Sequence, residues 1–230
     1  MGRFLITGSN SGIGLALTRR LVARGETVWA AARDPARAED LQRLRRDAPD
    51  RVRLLQLDVT CGAALARMAS DLAGVALDVL INNAGYPGPQ RQDTWDVDLA
   101  GFRQALEVNT LGPLRVLQAV LPSLRLSAGA KVITISSRRG SMAYAKGGHI
   151  AYRASKSAVN KVMQVAATEL RPEGIAVLVV HPGWVRTAMG SPEANIGPDE
   201  SAAGVLKLID ALTVETSGEF RNYRGETVEW

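Results

Sequence analysis

Phe4-Leu5-Ile6-Thr7 runs straight into Gly8-Ser9-Asn10-Ser11-Gly12-Ile13-Gly14, and an amphipathic segment begins at once. A short apolar run, a glycine-rich turn and then helical periodicity, in that order, read as strand, loop and helix. Gly8, Gly12 and Gly14 tighten the turn, admit a phosphate close to the backbone and let the helix lie against its strand. The free N–H groups at the start of that helix favour an anion. A dinucleotide pyrophosphate fits this chemistry; the plainer alternative is a glycine turn that only joins a strand to a helix.

The rest of the chain repeats the same alternation. The apolar stripe Leu15, Leu17, Leu21, Val22 ends at Gly25, a glycine suited to a helix terminus, and Thr27 to Ala32 follows as a buried strand. A second helix is expected with Asp34 as its cap and Pro35 in its first turn. Strands follow at 52–57, 77–81, 131–135, 176–180 and 219–223, and helices at 63–72, 102–126, 152–170 and 201–212, the long one interrupted near Gly112-Pro113. Most of the strands are continuous apolar runs, so both faces of the sheet must be covered. The expected architecture is α/β: a doubly wound Rossmann fold with a parallel sheet between two helical layers, as one domain over 1–230. The polar clusters after the first, fourth, fifth and sixth strands all fall at the carboxyl edge of that sheet, where ligands bind in such folds.

Composition narrows the function classes. Hydrophobic content of 46% with 22% charged residues is that of a globular protein, and no window approaches the roughly 18 consecutive apolar residues of a membrane helix. The first strand begins within three residues of Met1 and Cys61 is the only cysteine, so a cytoplasmic protein without disulfides is expected. The net charge of +5 does not point to nucleic acid, because the densest group, Arg43, Arg45 and Arg46, is interleaved with Glu39, Asp40 and Asp47 as on a solvated helix face. It suits a polyphosphate cofactor. Neither His149 nor His181 has neighbours at metal-ligand spacing, so no metal site is expected.

Tyr152 and Lys156 are four apart on a helix and share one face. Bringing a tyrosine from pKa about 10 to about 7 takes roughly 4 kcal/mol, and a cation near 4 Å at an effective dielectric of about 20 supplies that order. Such a phenol can serve as acid or base.

Thr7-Gly8-x-x-x-Gly12-x-Gly14, Asn82-Asn83-Ala84-Gly85, Ser136-Ser137, Tyr152-x-x-x-Lys156 and Pro182-Gly183 stand in the order and approximate spacing of the short-chain dehydrogenase/reductase family, which this sequence resembles over nearly its whole length. The stretches Ser136 to Ser141 and His181 to Thr187, with the tail Gly225 to Trp230, are most similar to its C-factor and sniffer carbonyl reductase subgroup. The resemblance implies seven parallel strands and hydride transfer between a nicotinamide and a carbonyl or alcohol substrate. Tyr152 would protonate the carbonyl. Lys156 would lower the tyrosine pKa and hold the nicotinamide ribose, Ser137 would bond the carbonyl, and Asn109 would hold a proton-relaying water. As local alternatives, Asn109 would satisfy backbone groups near the break before Pro113 and Ser137 would cap a turn. Ser137 stands fifteen residues before Tyr152 (152 − 137), two more than the family's commonest spacing, where Arg139 lies instead; Ser141 is the alternative serine.

Arginine at the end of the second strand, in Ala31-Ala32-Arg33, selects a 2′-phosphate and hence NADP(H), with Asp34 as the rival residue that would favour NAD. Beyond the glycine loop with Asn10, Ser11 and Ile13, the resemblance implies Asp58 and Val59 at the adenine and Asn83, Ala84 and Gly85 at the adenosine ribose. Pro182, Gly183, Val185 and Thr187 would lie along the nicotinamide. It further implies a homodimer or homotetramer. Trp184 and Met189 lie on a short substrate loop, and an open, fairly apolar pocket is expected. The competing function is a catalytically silent NADP(H)-binding regulator on the same fold.

Overall fold

The computed structural model describes residues 1–230. Seven strands, β1 (Arg3–Thr7), β2 (Thr27–Ala32), β3 (Val52–Gln56), β4 (Val79–Asn82), β5 (Lys131–Ile135), β6 (Ala176–His181) and β7 (Glu219–Asn222), form one sheet in the order β3-β2-β1-β4-β5-β6-β7. Every neighbouring pair is parallel. The chain winds outward in one direction from β1 and in the other from β4. The reversal between them opens a crevice at the carboxyl ends of these two strands.

The uninterrupted apolar strands are explained by what covers them. On one face α1 (Gly12–Ala23), α2 (Glu39–Asp47) and α7 (Pro198–Ala211) bury Leu17, Leu21, Leu41 and Val205 against Ile6, Ile81 and Ile133. On the other, α3 (Gly62–Asp71), α5 (Gly112–Leu124) and α6 (Ile150–Leu170) bury Met68, Val116, Leu124 and Met163 against Leu5, Leu80 and Val132. The two clusters hold 23 and 27 buried residues, so neither face is left to solvent. At about 2 kcal/mol for each fully buried aliphatic side chain, this burial is the main favourable term for the fold.

Three local expectations are corrected. Asp34 does not cap α2: its Oδ1 accepts from the Arg37 N–H at 3.2 Å, closing a turn, and the helix starts only at Glu39. The long fourth helix begins earlier, at Leu99, because Asp98 Oδ1 accepts from the N–H groups of Ala100 and Gly101 and caps α4 (Leu99–Leu106). Its interruption is a π-helical turn over Glu107–Leu111, in which the Gly112 N–H reaches back to the Glu107 carbonyl. Pro113 has no N–H to offer the carbonyl four residues before it, and the wider turn absorbs that defect. The α6 helix also starts two residues before Tyr152, from His149 in the left-handed region at φ 57°.

Candidate active site

The loop after β1 is held from β4. Asn83 Nδ2 donates to the carbonyls of Thr7 at 2.9 Å and Gly8 at 3.0 Å, while Thr7 Oγ1 accepts from the N–H groups of Asn83 and Ala84. Gly8 turns at φ +68°, and a Cβ there would lie 2.9 Å from Ala84 Cα. At Gly14 a Cβ would lie 2.3 Å from the Gly8 carbonyl oxygen, closer than any side chain tolerates. Ser11 precedes α1 in extended conformation without a side-chain cap, so the first N–H groups of the helix remain available beside exposed Asn10. Ile13 packs towards the core. These features form a shallow, positively polarised cradle at the crevice. The Asn83 side chain, expected at a ribose, is committed to bracing this loop.

Beside the cradle, at the end of β2, a cavity of about 450 Å³ is lined by Asn10, Arg33, Asp34, Arg37 and Ala38. Two guanidinium groups therefore meet where the sequence pointed to one. Arg37 was missed because its approach depends on the turn that Asp34 closes; the spacing Arg33-x-x-x-Arg37 is the only trace of it in the sequence. Asp58 spends its Oδ1 on the Thr60 N–H and hydroxyl, which hold its carboxyl below the ordinary range, with the Arg33 charge as a lesser cause. Val59 is buried against Gly112.

Ser137, Tyr152, Lys156 and Asn109 converge across the crevice. Ser137 leaves β5 in extended conformation, and its Oγ accepts from the Arg139 N–H at 3.1 Å; its hydroxyl also acts to lower the Tyr152 phenol against the effect of burial. The hydroxyl proton of Ser137 thus remains free for another acceptor. Ser141 is buried and lines a different cavity. Asn109, in the π turn, accepts from the Tyr86 N–H at 2.7 Å and donates to the Tyr86 carbonyl and to Ser155 Oγ. A Cβ built on Gly85 would lie 3.5 Å from Asn109 Oδ1, 3.9 Å from Lys156 Nζ and 3.4 Å from Met189 Cε, which brings four separate segments to one point. Thr187 reaches the cradle from β6, its methyl 3.0 Å from a Cβ on Gly12. Pro182 accepts from Ser201 Oγ, Val185 is buried, and Gly183 turns at φ +89°.

The lysine is anchored on β5. Lys156 Nζ donates to the Ile135 carbonyl at 2.9 Å and lies 5.9 Å from the Tyr152 ring centroid. Burial pulls its ammonium down to about 8. Burial also raises the Tyr152 phenol above its ordinary value, opposed by the Ser137 bond and by the charge of Arg139, not of Lys156. Desolvation disfavours both charged forms.

A second cavity, of about 550 Å³, opens beyond β5, β6 and β7. Only six of its sixteen lining residues are hydrophobic. Trp184 lines it, Met189 does not, and Arg138, His181 and Arg224 give it polar walls. His181 closes β6 with its Nδ1 buried and unpartnered, and burial pulls its imidazole down to about 4. No helix is long and apolar enough to cross a membrane.

The chain is similar to known proteins in both sequence and fold. The family model described as short chain dehydrogenase matches residues 3–195. The C-signal protein of Myxococcus xanthus is 44% identical over 167 residues, covering 70% of this chain and 98% of that one. Among solved structures, the carbonyl reductase Sniffer of D. melanogaster superposes with TM-score 0.95 at 30% identity over 100% of both chains. An NADPH-bound carbonyl reductase from chicken fatty liver does so with TM-score 0.93 at 34% identity, covering 99% of this chain and 98% of that one.

Proposed function

The chain belongs to the short chain dehydrogenase family and is an oxidoreductase, and from that premise we propose that it is an NADPH-dependent reductase of carbonyl compounds. The observation that carries this reading is that Asn109 and the buried Lys156, one helical turn after Tyr152, come together at Gly85, on the segment that also braces the glycine cradle.

The cofactor site fits the group. The cradle at Gly8, Gly12 and Gly14 would take the pyrophosphate, and Arg33 with Arg37 would take a 2′-phosphate in the cavity at the end of β2. One of the Asp34 oxygens is occupied by the Arg37 N–H, which favours the phosphate over a ribose hydroxyl in this cavity. When bound, NADPH supplies the hydride. Ser137 donates its free hydroxyl proton as a hydrogen bond to the substrate carbonyl, and Tyr152 transfers its phenolic proton to the same oxygen as negative charge develops there. A phenol that is protonated at neutral pH has the proton to give to a carbonyl oxygen. Lys156 has two N–H donors beyond the one given to Ile135, available for a ribose hydroxyl and for returning a proton towards Tyr152. A silent nucleotide-binding regulator would need the cradle and the arginines but not the Ser137–Tyr152 contact.

Consumption of NADPH against a panel of aldehydes, ketones and quinones tests the proposal. Turnover should fall by about 100- to 10,000-fold in Tyr152→Phe. A native protein that binds NADPH and reduces none of the panel, or a Tyr152→Phe variant as active as the native chain, would overturn it.

A further inference from the structure

Four cations stand in the segments that adjoin Ser137 and Tyr152, and none of them forms an ion pair. Arg138 and Arg139 form the short turn that follows Ser137, Lys146 lies in the loop beyond it, and Arg153 follows Tyr152. The Arg138 guanidinium stands 4.8 Å from the centroid of the Tyr144 ring, Arg153 5.5 Å and Lys146 5.7 Å. The charge of Arg139 reaches the Tyr152 phenol. None of the seven ion pairs of the fold includes any of these four residues.

The nearest acid is Asp93, which acts on the same His149 as Arg139 and Arg153 but forms an ion pair with neither. Glu226 and Glu229 are on the far wall of the 550 Å³ cavity, where Glu226 accepts from Asn222 Nδ2; the Arg224 guanidinium there is raised chiefly by its hydrogen bond to the Tyr223 hydroxyl, with the Glu226 charge as a lesser cause. That far wall neutralises itself, whereas Arg138, the one of the four cations that lines this cavity, has no ion-pair partner. An uncompensated cationic wall concentrates anions, and a guanidinium fork matches a carboxylate.

The near wall is also rigid. Asn160, one helical turn after Lys156, accepts from Ser136 Oγ at 2.5 Å and donates to the Gly140 carbonyl at 3.2 Å. A Cβ on Gly140 would lie 2.7 Å from the Lys156 carbonyl carbon, so the turn carrying both arginines sits flush on the helix that carries Tyr152. Positive charge and reacting hydroxyls are thereby held at a set separation.

We propose that the substrate is an anionic carbonyl compound, a carboxylate-bearing aldehyde or ketone whose carboxylate is taken by Arg138 and Arg139 while its carbonyl meets Ser137 and Tyr152. The proposal rests on the reductase reading and adds the charge of the substrate. It is tested by comparing NADPH oxidation with para-formylbenzoate and with its neutral methyl ester. The native protein should favour the acid by about tenfold or more in kcat/KM at low salt, and the preference should shrink as salt is raised. In Arg138→Gln/Arg139→Gln, where both side chains are exposed and the core is untouched, the acid-to-ester ratio should fall to about one or below. A native ratio at or below one, or a preference that the double variant keeps, overturns the proposal and leaves the reductase standing.

If neither aldehyde is reduced, the reductase reading loses support and the anion site is judged by binding alone. Calorimetry with para-hydroxymethylbenzoate should then show binding to the native protein that the double variant loses. Absent binding, or equal binding by the variant, overturns the site.

Discussion

Replacing Lys156 by methionine should make the protein more stable at neutral pH while abolishing its activity. The ammonium is 5% exposed and makes one hydrogen bond, to the Ile135 carbonyl. Burial moves its pKa from 10.5 to about 8. Between those values the unfolded chain binds a proton that the folded chain does not, so the fold gains stability as pH rises through that window and carries the full penalty below it. The gap corresponds to about 3 kcal/mol disfavouring the fold at pH 7, and roughly half of that persists near pH 9.5. Methionine has a similar unbranched shape and no charge, but it leaves the Ile135 carbonyl without its donor, at a cost of about 1 kcal/mol. The variant should therefore be about 2 kcal/mol more stable than the native protein at pH 7, and about equal to it near pH 9.5. Urea unfolding of both proteins at each pH reads this, and the variant-minus-native difference cancels groups that titrate alike in the two. A variant no more stable at pH 7, or a difference that does not shrink as pH rises, would refute a buried, desolvated lysine as the cause.

Arg33→Ala and Arg37→Ala should each raise the KM for NADPH by about tenfold or more and leave that for NADH little changed, as initial rates with the two cofactors would show. Gly14→Ala places a methyl group 2.3 Å from the Gly8 carbonyl oxygen, and should destabilise the fold by about 1–3 kcal/mol in urea unfolding and weaken NADPH binding in fluorescence titration. His149→Gly removes the left-handed strain at the only non-glycine residue with positive φ; set against the greater chain entropy of glycine, the gain should be up to about 1 kcal/mol, a rise of a few degrees in Tm by calorimetry.

Much of the fold was legible because its signals are local. The apolar runs that became β1, β2, β5 and β6, and the helical stripe from Leu15, depend on side chains within a few positions of one another. The errors also lie at short range, where side chains compete for backbone groups. Asp34 before Pro35 has the pattern of a helix cap but closes a turn, and Asp98 caps a helix that begins well before the expected start.

The site divides in the same way. The residue types and their order along the chain, from the glycine loop to Tyr152 and Lys156, determined by themselves which groups could meet at the carboxyl edge of the sheet. Only the tertiary structure decided what each group is free to do there. Lys156 is bonded to the Ile135 carbonyl, the Asn83 side chain braces the glycine loop, Arg37 lines the same cavity as Arg33, and Arg138 and Arg139 form no ion pair. Covalent spacing acts over a few residues, whereas desolvation and electrostatic partnership depend on segments that meet only after the sheet has closed around them.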